Sequence, residues 1–154
     1  MTINTERPIV WIIIHCLATR VDRNITAADI DSFHRVRGFS SAGYHYYIRK
    51  NGKIETMRSE SEVGAHAYGY NRNSIAICYE GGLDINGRPA DTRTPQQKRV
   101  LLSLLRALKV DYPQALIRSH HDLSPDKNGN GIVDRWERTK ECPCFDATTE
   151  YETL

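Results

Sequence analysis

Three metal-type side chains stand far apart in the chain: His15 after an apolar run, His120 in Ser-His-His, and Cys142 in Lys-Glu-Cys-Pro-Cys-Phe-Asp. Two imidazoles and one thiolate suit a tetrahedral zinc, and a three-ligand set leaves the fourth position for water. That is the pattern of a catalytic zinc, so the chemistry implied is metal-assisted hydrolysis. Each of two candidates has a rival beside it. His121 follows His120 and Cys144 lies two residues after Cys142; adjacent side chains on extended backbone point apart, so only one of the two histidines should face the metal.

These residues need a framework to bring them together. At 154 residues the chain is read as one domain, 1–154, large enough to bury a core without disulfide staples. A net charge of +2 with scattered Lys and Arg argues against nucleic acid as a partner. The longest apolar stretch, Ile9 to Ile14, is too short to span a membrane and has the wrong flanks for a secretory signal. The expectation is therefore a monomer that is cytoplasmic as synthesised, with its four cysteines reduced. Cys78 and Cys16 read as core residues.

Ile9 to Ile14 is a β-branched run, as in a central strand buried on both faces, and it delivers His15 at the strand's carboxyl end. Thr26 predicts a helix cap for Ala27 to Arg37, with Gly38 as the stop. Asn51-Gly52 predicts a hairpin between Tyr44 to Lys50 and Lys53 to Thr56. Ser74 to Tyr79 reads as a second buried strand. Thr94-Pro95-Gln96-Gln97 combines a cap, a proline at the first helical position and a capping-box glutamine. It opens a helix to about Val110 whose apolar stripe includes Leu101, Leu105 and Leu108. Ala115 to Ile117 is a short strand leading to His120. The order predicts an α/β domain with a mostly buried mixed sheet and helices on both sides.

Six segments then carry a resemblance: Ile14-His15-Cys16-Leu17-Ala18-Thr19, Ala42-Gly43-Tyr44-His45-Tyr46, Val63-Gly64-Ala65-His66-Ala67, Asn71-Arg72-Asn73-Ser74-Ile75, Ser119-His120-His121 and Lys140-Glu141-Cys142-Pro143. In this order they resemble the signature segments of the type-2 N-acetylmuramoyl-L-alanine amidases, the bacteriophage lysozyme-type enzymes related to the peptidoglycan recognition proteins. The resemblance implies that fold, and hydrolysis of the amide between N-acetylmuramic acid and L-alanine. It favours His120 over His121 and Cys142 over Cys144 as zinc ligands beside His15, and it implies Tyr44 and Lys140 as catalytic residues. Lys140 would stabilise an oxyanion, and Tyr44 would orient water or donate to the same oxygen; which of them handles the proton is left open. His66 and Asn73 fall in segments that would line the cleft and contact a peptidoglycan or muropeptide substrate. His45 reads as structural, Tyr46 as sharing a face with Tyr44, and His34 as a surface residue. The other functional classes are a non-catalytic muramyl-peptide recognition module, against which Cys142 argues, and an amidase with an added regulatory protein-binding role.

One stretch departs from that family. Residues 126–137 intervene between the histidine pair and Lys140, and they match a calcium loop of the EF-hand type. Asp126, Asn128, Asn130, Asp134 and Glu137 would give side-chain oxygens, Ile132 its carbonyl, and Gly131 the sharp turn. Leu123-Ser124-Pro125 is a poor incoming helix, so the loop would act as a Ca2+ clamp rather than as half of a sensor pair. The cofactors expected are therefore Zn2+ and Ca2+.

Overall fold

The computed structural model describes residues 7–125, 127–131 and 133–154, residue 135 by its backbone alone. The central sheet has five strands in the order β4-β3-β5-β1-β7: β1 is Trp11–Cys16, β3 Tyr46–Ile48, β4 Ile54–Thr56, β5 Ser74–Tyr79 and β7 Leu116–Ser119. Only β4 runs antiparallel to its neighbour, joined to β3 through the Asn51-Gly52 turn. A small parallel pair, β2 (Thr19–Arg20) and β6 (Gly82–Leu83), lies beyond the carboxyl ends of β1 and β5. The mixed sheet flanked by helices agrees with the α/β expectation. The differences are at the ends of elements: β1 continues through His15 to Cys16, and the hairpin strands are only three residues each.

The two long helices are started by the residues that cap them. Thr26 and Asp29 form a reciprocal capping box ahead of α1 (Ala27–Val36), and Thr94 and Gln97 form one ahead of α2 (Pro95–Asp111). Gln97 does more than cap. Fully buried, it donates through Nε2 to the carbonyls of Ile48 and Glu80 and so fixes α2 to β3 and β5. The faces of the sheet then separate. Ile12, Ile14, Ile75 and Ile77 pack with Leu101, Leu105 and Leu108 of α2, each worth about 1.5–3 kcal/mol when fully buried. Tyr47 and Cys78 pack on the other side with Ile30 of α1 and Ile25.

On that second face the register creates a lateral row. Tyr47 of β3 pairs with Cys78 of β5, and Cys78 pairs with His15 of β1. Ile14 pairs with Ser119 of β7, so the next residue of each strand, His15 and His120, emerges side by side. Parallel pairing thus sets two histidines from opposite ends of the sequence at adjacent carboxyl ends, where loops of α/β sheets commonly form sites.

Candidate metal centre and active-site cleft

The segment after the insert completes this edge. The Cys142 carbonyl accepts from the His121 backbone N–H at 2.9 Å, and the Cys142 Sγ accepts from the Cys16 N–H at 3.1 Å. Residues 140–144 are therefore stitched to the ends of both β1 and β7. His15, His120 and Cys142 each present one ligand atom, all lying within 4.8 Å of one another, and the His15 and His120 rings are 4.3 Å apart. His120 Nδ1 is buried without a hydrogen-bond partner. A buried orphan nitrogen beside a thiol and a second imidazole is the donor chemistry of a metal centre. Burial, then neighbouring imidazoles and Lys140, holds His15 well below its ordinary value. Burial, then Lys140 and His121, brings His120 down to about 4. Both rings are neutral near pH 7 and so have lone pairs to give.

The trio forms part of the wall of a cleft of about 470 Å³, together with Tyr44, His66 and Lys140. Tyr44 sits between His15 and His34, with ring centroids 5.3 and 5.4 Å away. Burial first, then Cys78, Cys142 and Cys16, keeps its phenol well above the usual range. Tyr44 is thus protonated at neutral pH. Its placement depends on Gly43. A Cβ there would lie 2.0 Å from the Ala65 carbonyl oxygen, and the close approach lets the Ala65 N–H reach the Gly43 carbonyl at 3.0 Å. That contact docks the loop carrying His66 against the segment carrying Tyr44.

Several residues are placed differently from their sequence reading. His34, expected on the surface, is buried, and its Nδ1 accepts from the Gly43 N–H at 2.7 Å. It shares a face of α1 with Ile30, one turn earlier, and that spacing was the available signal. Tyr46 does not share Tyr44's surroundings: its hydroxyl bonds Glu60 and its ring packs on the α2 side, while Tyr44 packs with Tyr47. Tyr44 precedes β3 on bent backbone, so strand alternation does not extend to it. Asn73 is turned from the cleft and donates to the Pro8 carbonyl at 2.9 Å. The asparagine at the cleft is Asn71, whose Oδ1 accepts from both His66 and Ala67 N–H at 2.9 Å; a short polar side chain capping nearby amides is the pattern that could have found it.

The rivals have other partners. His121 is buried, with Nε2 3.4 Å from Asp122. Asp122 also accepts from Thr148 at 2.5 Å, and Asp146 caps the short helix α3 (Ala147–Glu150). In the grouping of His121, Asp122 and Asp146, Asp122 and Asp146 are engaged by Thr148 and Thr149, while His121 Nε2 is buried without a hydrogen-bond partner. Cys144 Sγ donates to the Gly82 carbonyl at 3.3 Å and lies 3.8 Å from Cys16 Sγ; all four cysteines are free thiols. His45 and Cys78 are fully buried.

In the insert, Asp126 and Ile132 lie outside the described residues, as do Met1 to Glu6 of the amino-terminal arm. The buried Glu137 carboxylate accepts from the backbone N–H groups of Lys127, Asn128 and Asp134, and the Asn128 and Asn130 amides donate to Asp134. The carboxylates of Asp134 and Glu137 are bonded within the loop itself. No helix among the described residues is long and apolar enough to cross a membrane.

Fold and cleft together define a small α/β domain in which three candidate metal donors meet at one cleft. The N-acetylmuramoyl-L-alanine amidase family profile matches residues 5–145, and the chain belongs to that family. It is 37% identical over 128 residues to an endolysin of Enterobacteria phage K11, covering 83% of this chain and 85% of that one. Among solved structures, the N-acetylmuramoyl-L-alanine amidase LysC from Clostridium intestinale superposes with a TM-score of 0.71 at 34% identity, covering 94% of this chain and 81% of LysC. Drosophila peptidoglycan recognition protein LB shares the fold, with a TM-score of 0.70 at 21% identity, covering 96% of this chain and 81% of that one.

Proposed function

We propose that the chain hydrolyses the amide joining the lactyl group of N-acetylmuramic acid to L-alanine in peptidoglycan, using a zinc ion held by His15, His120 and Cys142. The observation that carries this reading is the meeting of those three donors within 4.8 Å in a cleft that also holds Tyr44 and Lys140. When bound, zinc supplies a Lewis acid for the amide carbonyl and a water acidified to about pKa 7.

The chain's own groups supply the rest. An amide carbonyl gains negative charge on attack, and preorganised donors stabilise it most where water is scarce. Tyr44, held protonated and lining the cleft, has an O–H to give to that oxygen. Lys140, two residues before Cys142, brings an ammonium to the same wall, near enough to depress both imidazoles. Tyr44 thus serves as donor, and proton transfer to the leaving nitrogen falls to Lys140 or to water. The likeness to the K11 endolysin supports the polymeric wall as the substrate.

The test is digestion of purified peptidoglycan before and after zinc removal, with products identified by mass spectrometry. Free stem peptide beginning at L-alanine, lost on chelation and restored by zinc, is the expected result. One equivalent of zinc without cleavage would reassign the chain as a muramyl-peptide recognition module. Absence of zinc binding would overturn the ligand set.

A further inference from the structure

His66 is set between two buried polar groups rather than turned freely into the cleft. Its Nδ1 lies 2.8 Å from His15 Nε2, and its Nε2 lies 3.0 Å from Ser74 Oγ. Ser74 is a rigid end to this chain of contacts. It is fully buried at the start of β5, paired in register with Trp11 of β1, and its carbonyl accepts from Arg7 at 2.8 Å. The other side of His66 is fixed as well, its backbone N–H held by Asn71 at 2.9 Å. Gly64 brings it close: a Cβ there would sit 2.7 Å from the His66 ring.

Each N···N and N···O contact holds one proton, so the contacts along the row are coupled. With Nε2 of His15 engaged by His66, the nitrogen of His15 left for a metal is Nδ1, which must then be a lone pair. His15 must carry its proton on Nε2 and donate it to His66 Nδ1. His66 in turn carries its proton on Nε2 and donates to Ser74. The opposite direction, from the Ser74 hydroxyl through His66 to His15, leaves a proton on His15 Nδ1, aimed at the other metal donors. Serine serves as the end of this row because a hydroxyl can accept as well as donate.

We propose that His66 and Ser74 are positioning residues that fix His15 in the Nε2-protonated tautomer and so prepare its Nδ1 for the metal. This rests on the zinc reading above and deepens it. Metal-bound histidines generally pass their second nitrogen's proton to an outer partner, and loss of that partner typically lowers metal affinity 10- to 100-fold. Here the partner is a neutral imidazole, which orients the ligand without adding negative charge to the cleft.

The experiment measures zinc affinity by competition with a chromophoric chelator, for the full-length wild type and for the variants His66→Ala, His66→Asn, Ser74→Ala and Ser74→Thr. Long-range ¹H–¹⁵N spectra of the zinc-loaded proteins report the His15 tautomer. His66→Ala is expected to weaken zinc roughly 10- to 100-fold and Ser74→Ala by a smaller factor. His66→Asn, whose amide oxygen can stand where Nδ1 stood, recovers most of the affinity, and Ser74→Thr keeps it. The wild-type spectrum shows His15 protonated at Nε2 alone. Wild-type zinc affinity in His66→Ala, with an unchanged His15 signal and a raised KM for muropeptide, would overturn the relay and make His66 a substrate contact. Failure of the wild type itself to bind zinc would overturn both the relay and the function on which it rests.

Discussion

Metal-free protein should lose stability in mild acid because His45 cannot take up a proton while folded. Its ring is fully buried, with Nδ1 accepting from the Ala76 N–H at 3.0 Å. The other nitrogen, Nε2, meets the Glu62 carbonyl at 2.8 Å and the Arg7 guanidinium at 3.3 Å. A second proton would break the Ala76 bond and place a cation against Arg7. Burial first, with Arg7 and Arg58 adding to it, brings His45 from 6.5 to about 4. Between those values the unfolded chain binds a proton that the folded chain does not. The stabilisation is therefore complete above pH 6.5 and is lost progressively as pH falls toward 4, for a total of about 3 kcal/mol. Urea unfolding of metal-free wild type and of His45→Asn, from pH 7.5 to 4, isolates this contribution from those of the other histidines. The asparagine keeps an acceptor for Ala76 but does not titrate. Its stability should fall less steeply, by up to about 1.4 kcal/mol per pH unit. Parallel decline of the two proteins across this range would refute the assignment.

Replacing Tyr44 with Phe should lower kcat by about 10²–10³-fold while leaving one zinc bound per chain by elemental analysis; unchanged turnover would remove Tyr44 from the chemistry. Gly43→Ala should cost about 2 kcal/mol, seen as a melting temperature roughly 4–8 °C lower, because the Ala65 carbonyl stands where the new methyl must go. Glu137→Gln should destabilise the protein by about 1.5–3 kcal/mol equally in EGTA and in excess calcium, since the carboxylate is used by three backbone amides. A loss confined to calcium-containing buffer would instead identify the insert as a cation site.

The parts of the site legible in the sequence were those whose chemistry is local to a residue type. The types of His15, His120 and Cys142 suggest metal donors, and the structure brings them together; choosing them over His121 and Cys144 took the resemblance of whole segments. The buried strands and α2 were legible for a related reason: β-branched runs and a Thr-Pro-Gln-Gln cap state their structure within a few residues. His34 and Asn71 were not, because their importance is relational. Each matters through a backbone group, Gly43 for His34 and the His66–Ala67 amides for Asn71; spacing hints that His34 faces inward and that Asn71 caps nearby amides, but not at what the cleft does with either. The short hairpin strands differ for the opposite reason: the bend at Gly43 to His45 is imposed by docking against Ala65, which overrides the alternating pattern.

The first strand of the chain lies inside the sheet, between β5 and β7, and that placement governs how the molecule must be made. β1 is the most apolar segment, yet its partners β5 and β7 are encoded far downstream, β7 more than half the chain away. During synthesis an emerging Ile12-Ile13-Ile14 has no native neighbour until β5 has followed, and lacks its second until β7 has. The proposed metal donors are complete only when Cys142 has followed His120 and residues 126–137. Parallel pairing across such long loops is slow and leaves apolar edges open meanwhile. An emerging chain therefore lacks the full proposed donor set, and its folding depends on keeping β1 shielded until β7 arrives.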